Sequence, residues 1–238
     1  MVCHESYKDS HNNWLYPDEI EKINPSKVIK KDDKSLVTVG PSESMSKSKK
    51  NTVDPEAMIQ LYGADSVRWF ILSDSPPEKD VQWSNTGVSS ANKFLQKMWN
   101  LNYLISKKVD NNLNAKTKEL FDSKIEDFVN KIDNSIQTFR FNVAIAHFYE
   151  VYKLFKDNLD TELHKDTLVN SMTLIMKLMI PFTPHLAYEC LELHNCKTVN
   201  KWPKINISNK IKQIKFAVQV NGKTRDILEI DNNLKEEE

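Results

Sequence analysis

The chain is 238 residues long, 39% hydrophobic and 28% charged, with a formal net charge of zero, which excludes a disordered segment and argues against a protein that coats nucleic acid by charge alone. Cys3, Cys190 and Cys196 are scattered and include no Cys-x-x-Cys pair, so no disulfide framework or zinc signature is present and a reducing cytosol fits. No stretch reaches the length of a membrane helix, the first twenty residues are too polar for a signal peptide, and four glycines without a Gly-rich loop leave no self-contained phosphate cradle.

Residues 1–43 read as irregular. Met1-Val2-Cys3 has the letters of a strand's tail, Asn12-Asn13 those of a turn, and Tyr16-Pro17-Asp18-Glu19 those of a loop entering a short helical turn. Leu36-Val37-Thr38-Val39 is a strand candidate that Gly40-Pro41 should end as a turn. Between Lys22 and Lys50, eight lysines meet only Asp32, Asp33 and Glu43, a local surplus of positive charge. A strand-like opening without an evident partner is the pattern of a chain that continues upstream, because one strand cannot bury its own faces.

From Asp54 the pattern turns helical. Asp54 can cap a helix with Pro55 at its first position, and Gly63 can close it. Asp65 to Ser73 is expected to form a second short helix, with Val67, Phe70 and Ile71 apolar, before Pro76-Pro77 imposes an extended link. Ser84 to about Lys107 carries Val88, Ala91, Phe94, Leu95, Met98, Leu101 and Ile105 on one stripe. Ile125, Phe128, Val129, Ile132, Ile136 and Phe139 make a second stripe, and Phe141, Ile145, Phe148, Tyr152 and Phe155 a third. Leu168 to Ile180 is apolar around most of its circumference, as a central helix is. Pro181 and Pro184 break it, and Thr183 is placed to cap a final helix through Glu192. Antiparallel helices of this length on short polar links make a bundle. Residues 197–216 then carry six lysines and no acid, and runs at Ile214 to Val220 and Thr224 to Ile230 flank the hairpin turn Asn221-Gly222. A lone hairpin is marginal in water, so more chain is expected beyond it as well.

Ser44-Met45-Ser46-Lys47-Ser48-Lys49-Lys50-Asn51 crowds hydroxyls and ammonium groups just ahead of the Asp54-Pro55 helix start. A mobile loop of that composition can close around a phosphate chain. Residues 44–48 resemble the KMSKS signature of class I aminoacyl-tRNA synthetases. The likeness continues through Val53-Asp54-Pro55 and Tyr62-Gly63-Ala64-Asp65-Ser66-Val67-Arg68, similar to the stem-contact region that follows that loop. Pro76-Pro77-Glu78-Lys79-Asp80-Val81-Gln82-Trp83-Ser84, then Gly87-Val88, Asn92-Lys93-Phe94-Leu95 and Trp99-Asn100-Leu101, resembles the leucyl-tRNA synthetases rather than the valine or isoleucine enzymes. His4-Glu5 and Tyr7-Lys8-Asp9 look like the segment ahead of their leucine-specific insertion region. Ile180-Pro181-Phe182-Thr183-Pro184-His185-Leu186-Ala187 is similar to their late helix pair, and Ala217-Val218-Gln219-Val220-Asn221-Gly222-Lys223 to the opening of their C-terminal domain. The resemblance covers almost the whole chain.

It implies a mainly α chain in five parts. Residues 1–53 would be the end of a Rossmann-type catalytic domain, 54–83 the stem-contact region, and 84–196 an antiparallel anticodon-binding-type bundle. A basic linker over 197–213 would lead to a β-hairpin at 214–238 that starts a small α+β C-terminal domain. The implied activity is ATP-dependent joining of leucine to tRNA(Leu), with Mg2+ accompanying ATP. The resemblance further implies no protein-bound metal, no membrane, no protein partner, a cytoplasmic setting and a monomer when full length. Lys47 matches the motif's second lysine and is the expected catalytic residue; Ser44, Met45, Ser46, Lys47 and Ser48 form the expected ATP-binding loop, with Arg68, Lys49 and Lys50 as candidate tRNA contacts. Ser44 departs from the motif by replacing its first lysine, which removes one cation. No His-x-Gly-His motif occurs in these residues, so the segment is expected to be the C-terminal part of a longer enzyme and inactive alone. Another synthetase of the valine, isoleucine or methionine group, or a stand-alone tRNA-binding helical module, are the other readings.

Several residues keep two readings. Arg68 is placed to pair with Asp65 at i,i+3 or to touch the acceptor stem. His4 should lie near the active-site strand and His185 at a helix end, while Trp69, Trp83 and Trp99 should pack rather than stack on bases. Arginine occurs only at 68, 140 and 225, so bound RNA is expected to be held through backbone and shape by lysines, those of 197–215 among them.

Overall fold

The computed structural model describes residues 1–24, 27–109, 114–203, 213–220 and 223–231. They fall into two units, Met1–Pro203 and Lys204–Glu238.

The first fifty residues hold more regular structure than their composition suggests. β1 (Val2–Lys8), β2 (Trp14–Leu15), β3 (Ile20–Asn24), β4 (Lys27–Lys30) and β5 (Thr38–Ser44) all precede the first helix. β1 pairs antiparallel with β5 along one edge, and with β2 on the other, where Tyr7 faces Leu15. β6 (Val81–Gln82) returns parallel to β1 at Val2 and Cys3. The opening strand therefore has partners within the described chain, which the sequence did not disclose. β3 and β4 form a separate hairpin, whose Ile20 and Val28 join Tyr7, Leu15 and Val37 in a small core.

Gly40-Pro41 does not end a strand. β5 starts at Thr38 and runs through both residues to Ser44. In the ladder Tyr7 faces Val39 and Glu5 faces Ser42, so Gly40 and Pro41 together stand opposite Ser6 alone. That is a β-bulge, one of the few places in a sheet where proline's missing N–H is tolerated. Gly40 also lets the strands close up, since a Cβ there would stand 2.5 Å from Ser6 Oγ.

α1 (Pro55–Tyr62) starts as expected, with the Asp54 carboxylate accepting Glu56 N–H, and ends at Gly63 with φ 80°. α2 (Ala64–Asp74) begins at that same glycine. α3 (Asn85–Lys107) is capped by Ser84 Oγ, which accepts Gly87 N–H at 3.1 Å. α4 (Ala115–Gln137) starts well before the apolar stripe that announced it: Asn114 Oδ1 accepts from both Lys116 and Thr117 N–H, and Phe121 is the first buried residue. α5 (Phe141–Asn158), α6 (Lys165–Met179) and α7 (Pro184–Leu193) complete the helices of the described residues. Phe139, assigned to the second stripe, is instead exposed at φ 57° in the elbow between α4 and α5.

Helix α6 is buried along most of its length, through Leu168, Met172, Ile175, Met176, Leu178 and Met179. Across the core Trp69 of α2 is fully covered; it stacks on Phe94 at 5.1 Å between centroids and meets Phe148 and Phe182. Its Nε1–H donates to Tyr149 Oη at 3.3 Å. Trp83 and Phe70 meet at a steep angle, 5.5 Å between ring centroids. Trp99 departs from the packing expectation, being 41% exposed on the outer side of α3 with Tyr103 and Leu104. Cys3 and Cys190 are buried free thiols and Cys196 is partly exposed; burial pushes the Cys190 thiol up to about 12.

Two half-buried histidines should make the fold sensitive to mild acid. His194 Nε2–H donates to the Oδ1 of fully buried Asn102 at 3.0 Å, and His4 Nδ1–H donates to the Glu5 carbonyl at 3.0 Å. Burial holds both below the ordinary value of 6.5, with Lys165 acting in the same direction on His194. Below that pH the unfolded chain binds these protons more readily than the folded one, so stability present at neutral pH is lost as pH falls through the folded values. The thermal midpoint should drop between pH 7.5 and 5.5, and His194→Asn should flatten that drop; an unchanged slope in the variant removes His194 as its source.

In the second unit β7 (Gln213–Val220) and β8 (Lys223–Asp231) pair antiparallel from Gln213↔Asp231 to Val220↔Lys223. The turn pair Asn221-Gly222 between them lies outside the described residues, as does most of the basic linker.

Candidate functional site

The lysine-rich loop is the link between the end of β5 and the start of α1. Ser44 closes the strand, exposed, with its Oγ 3.5 Å from Met1 Sδ. Met45 N–H still reaches the Val2 carbonyl at 3.4 Å, so the sheet's grip extends one residue into the loop. Ser46 is extended, with its Oγ 2.8 Å from Ser48 Oγ, and Lys47–Lys49 form one 3-10 turn. Lys50 ends that turn in the left-handed region at φ 51°, its N–H bonded to the Lys47 carbonyl.

The three lysines of the loop are not equivalent. Lys47 is exposed, and its ammonium meets no acceptor among the described residues. Lys49 forms an ion pair with Glu43 on β5, and this holds the Glu43 carboxyl below its usual range. The Lys50 ammonium lies 5.0 Å from the centre of the Tyr16 ring, a cation–π contact. Lys49 is therefore not a spare cation in place of the lysine that Ser44 lacks. An ammonium without an acceptor among the described residues, on a residue flanked in sequence by two serines, is a set of donors suited to phosphate oxygens.

Asn51 was overlooked by sequence reasoning beyond its place in the motif. It is fully buried, and its Oδ1 accepts Ser46 N–H at 2.7 Å. Its Nδ2 faces the carbonyls of His4 at 3.2 Å and of Glu43 and Ser44 at 3.4 Å. On β1, Tyr7 Oη donates to the Glu5 carboxylate at 2.8 Å; burial and that carboxylate push the Tyr7 phenol up to about 12.

Arg68 is not brought to the loop. Its guanidinium donates through Nη2 to the Pro181 carbonyl at 2.6 Å and through Nε to the Phe182 carbonyl at 3.2 Å. Asp65, its expected partner at i,i+3, accepts instead from Leu186 N–H at 2.8 Å and from His185 Nδ1–H at 2.9 Å. One turn of α2 thus places a cation on the carbonyls after α6 and an anion on the first turn of α7, as each helix end prefers. Thr183 supplies no side-chain cap to α7; the acceptor comes from Asp65, and the Thr183 hydroxyl turns back to the Met179 carbonyl at 3.5 Å. Among the described residues no group of three or more His, Cys, Asp or Glu side chains could hold a metal, and no helix is long and apolar enough to cross a membrane.

Residues 20–84 match the family described as tRNA synthetases class I (I, L, M and V), and residues 118–238 match the anticodon-binding domain of tRNA ligase. A leucine–tRNA ligase of Rickettsia bellii is 37% identical over all of this chain and 29% of its own length. That of Orientia tsutsugamushi is 38% identical over 95% of this chain and 27% of its own. The crystal structure of Agrobacterium radiobacter K84 LeuRS in a ternary complex with tRNA and LeuAMS aligns over 81% of this chain and 26% of its own, with a TM-score of 0.63 and 25% identity. The chain spans less than a third of the length of these relatives. It belongs to the family of the anticodon-binding domain of tRNA ligases, and over its length it is homologous to part of the leucine–tRNA ligases.

Proposed function

We propose that this chain acts within a leucine–tRNA ligase, supplying the mobile loop of the ATP site and a helical bundle that docks tRNA(Leu). In that reaction the leucine carboxylate attacks the α-phosphorus of ATP, the bond to pyrophosphate breaks, and leucine passes from the adenylate to the tRNA 3′ end. Negative charge grows on the leaving pyrophosphate, with Mg2+ accompanying the phosphates. A lysine that meets that charge only as the loop closes lowers the barrier without over-stabilising bound ATP. Lys47 carries this assignment, being an exposed ammonium without an acceptor among the described residues, on a loop anchored at β5 and at the approach to α1. Ser46 and Ser48 add hydroxyls beside it, while Lys49 and Lys50 would meet the tRNA backbone after leaving Glu43 and Tyr16. Arg68, engaged at the α6–α7 elbow, would act on tRNA through the placement of those helices. The setting is the cytoplasm.

The 238 residues contain no His-x-Gly-His motif, so by themselves they should bind without reacting. The isolated chain is expected to show no leucine-dependent ATP–pyrophosphate exchange. It should bind tRNA weakly, with an affinity that falls steeply with salt, each phosphate contact adding about 0.7–0.9 to the log–log slope. Measurable exchange would show that the segment holds a complete active site. Binding unaffected by salt would remove lysine–phosphate docking.

A further inference from the structure

The assignment above gives Lys47 a task and leaves open what holds it in place. Asn51 follows a run of exposed or half-exposed loop residues, yet it is completely covered. Its carboxamide faces two ways: the oxygen holds Ser46 N–H at 2.7 Å, and the nitrogen faces carbonyls of His4, Glu43 and Ser44. Those carbonyls belong to the ladder of β1 and β5, where His4 lies opposite Glu43 and Cys3 opposite Ser44. One side chain therefore joins the head of the loop, its tail and the end of the sheet. Residues 46–51 are closed into a ring by this bond, and the Lys47–Lys49 turn lies inside the ring. Lys50, left-handed at φ 51°, reverses the backbone so that the ring can shut.

The competing tether is the Lys49–Glu43 ion pair. Both of its side chains are partly open to solvent, at 40% and 29%, and such a pair contributes little and is screened by salt. A buried amide is the stronger constraint, because displacing it strands polar atoms away from water.

We propose that Asn51 is the positioning residue of the loop, fixing both ends of the Lys47–Lys49 turn against the sheet and thereby setting where the Lys47 ammonium stands. This rests on the reading of Lys47 as a phosphate ligand, but its structural half can be tested separately.

The test uses the whole 238-residue chain, isotopically labelled for NMR. Amide hydrogen exchange is followed at Ser46 and along β1, and inorganic pyrophosphate is titrated against the amides of residues 45–48. In Asn51→Ala, Ser46 should exchange about tenfold faster, the factor worth one ordinary hydrogen bond, while β1 amides keep their protection. Pyrophosphate affinity at Lys47 should fall by a similar factor, and Glu43→Gln, which breaks only the Lys49 ion pair, should leave Ser46 exchange unchanged. Should Asn51→Ala also expose β1, Asn51→Ser is read in the same way, since its short hydroxyl leaves Ser46 N–H unmet. Unchanged Ser46 exchange overturns the role of Asn51. Faster exchange with unchanged pyrophosphate affinity also overturns it, leaving Asn51 as a core residue only. Failure of the wild-type loop to respond to pyrophosphate overturns the phosphate-ligand reading instead, so the two failures are told apart.

Discussion

Lys47→Ala, made in a full-length ligase carrying this segment, is expected to lower leucine-dependent ATP–pyrophosphate exchange by about 10²–10³-fold, the cost of removing one preorganised donor from a developing charge. The loss should fall on kcat rather than on the KM for ATP, because the ammonium meets its charge chiefly in the transition state. Binding of tRNA, measured separately, should stay near wild type. In the structure the neighbouring lysines are engaged, Lys49 with Glu43 and Lys50 over Tyr16, and position 44 is a serine. An unaltered exchange rate would take Lys47 out of the chemistry.

Trp69→Ala should produce the largest loss of stability, about 3–5 kcal/mol, as expected when a large aromatic leaves a packed core. That is a substantial share of the roughly 5–15 kcal/mol that holds a typical domain together. The cavity would open among Phe94, Phe148 and Phe182, and Tyr149 Oη would lose its donor. Trp99→Ala, on the exposed side of α3, should stay within about 0.5 kcal/mol of wild type. Urea midpoints at constant slope check the pair. Equal midpoints for the two variants would contradict the contrast in burial.

Features written in neighbouring residues were legible in the sequence. Asp54 caps the helix that directly follows, and the α3 stripe from Val88 to Ile105 is buried as its spacing requires. The mainly α organisation followed from such local signals, and the loop from its likeness to a known motif. Features made by distant partners were not legible. The acceptor at the start of α7 comes from Asp65, more than a hundred residues earlier, so Thr183 was credited with a role it does not fill. Gly40-Pro41 has the letters of a turn, and only the ladder with β1 shows it to be a bulge. The role of Asn51 was hidden for the same reason, since its partners are backbone groups that any sequence would supply. Trp99 shows a limit of composition: a tryptophan beside a buried stripe can still face outward.

The unequal cover over the three cysteines gives the chain one convenient chemical address. Thiol reagents act on the exposed thiolate, and Cys190 offers neither exposure nor ionisation near neutral pH, while Cys3 is buried within β1. Cys196, just beyond α7 and partly open, is left as the thiol that a maleimide dye reaches first. A single fluorophore can therefore be placed near the end of the bundle in the unmutated chain, with no cysteine removed from the core to secure its specificity.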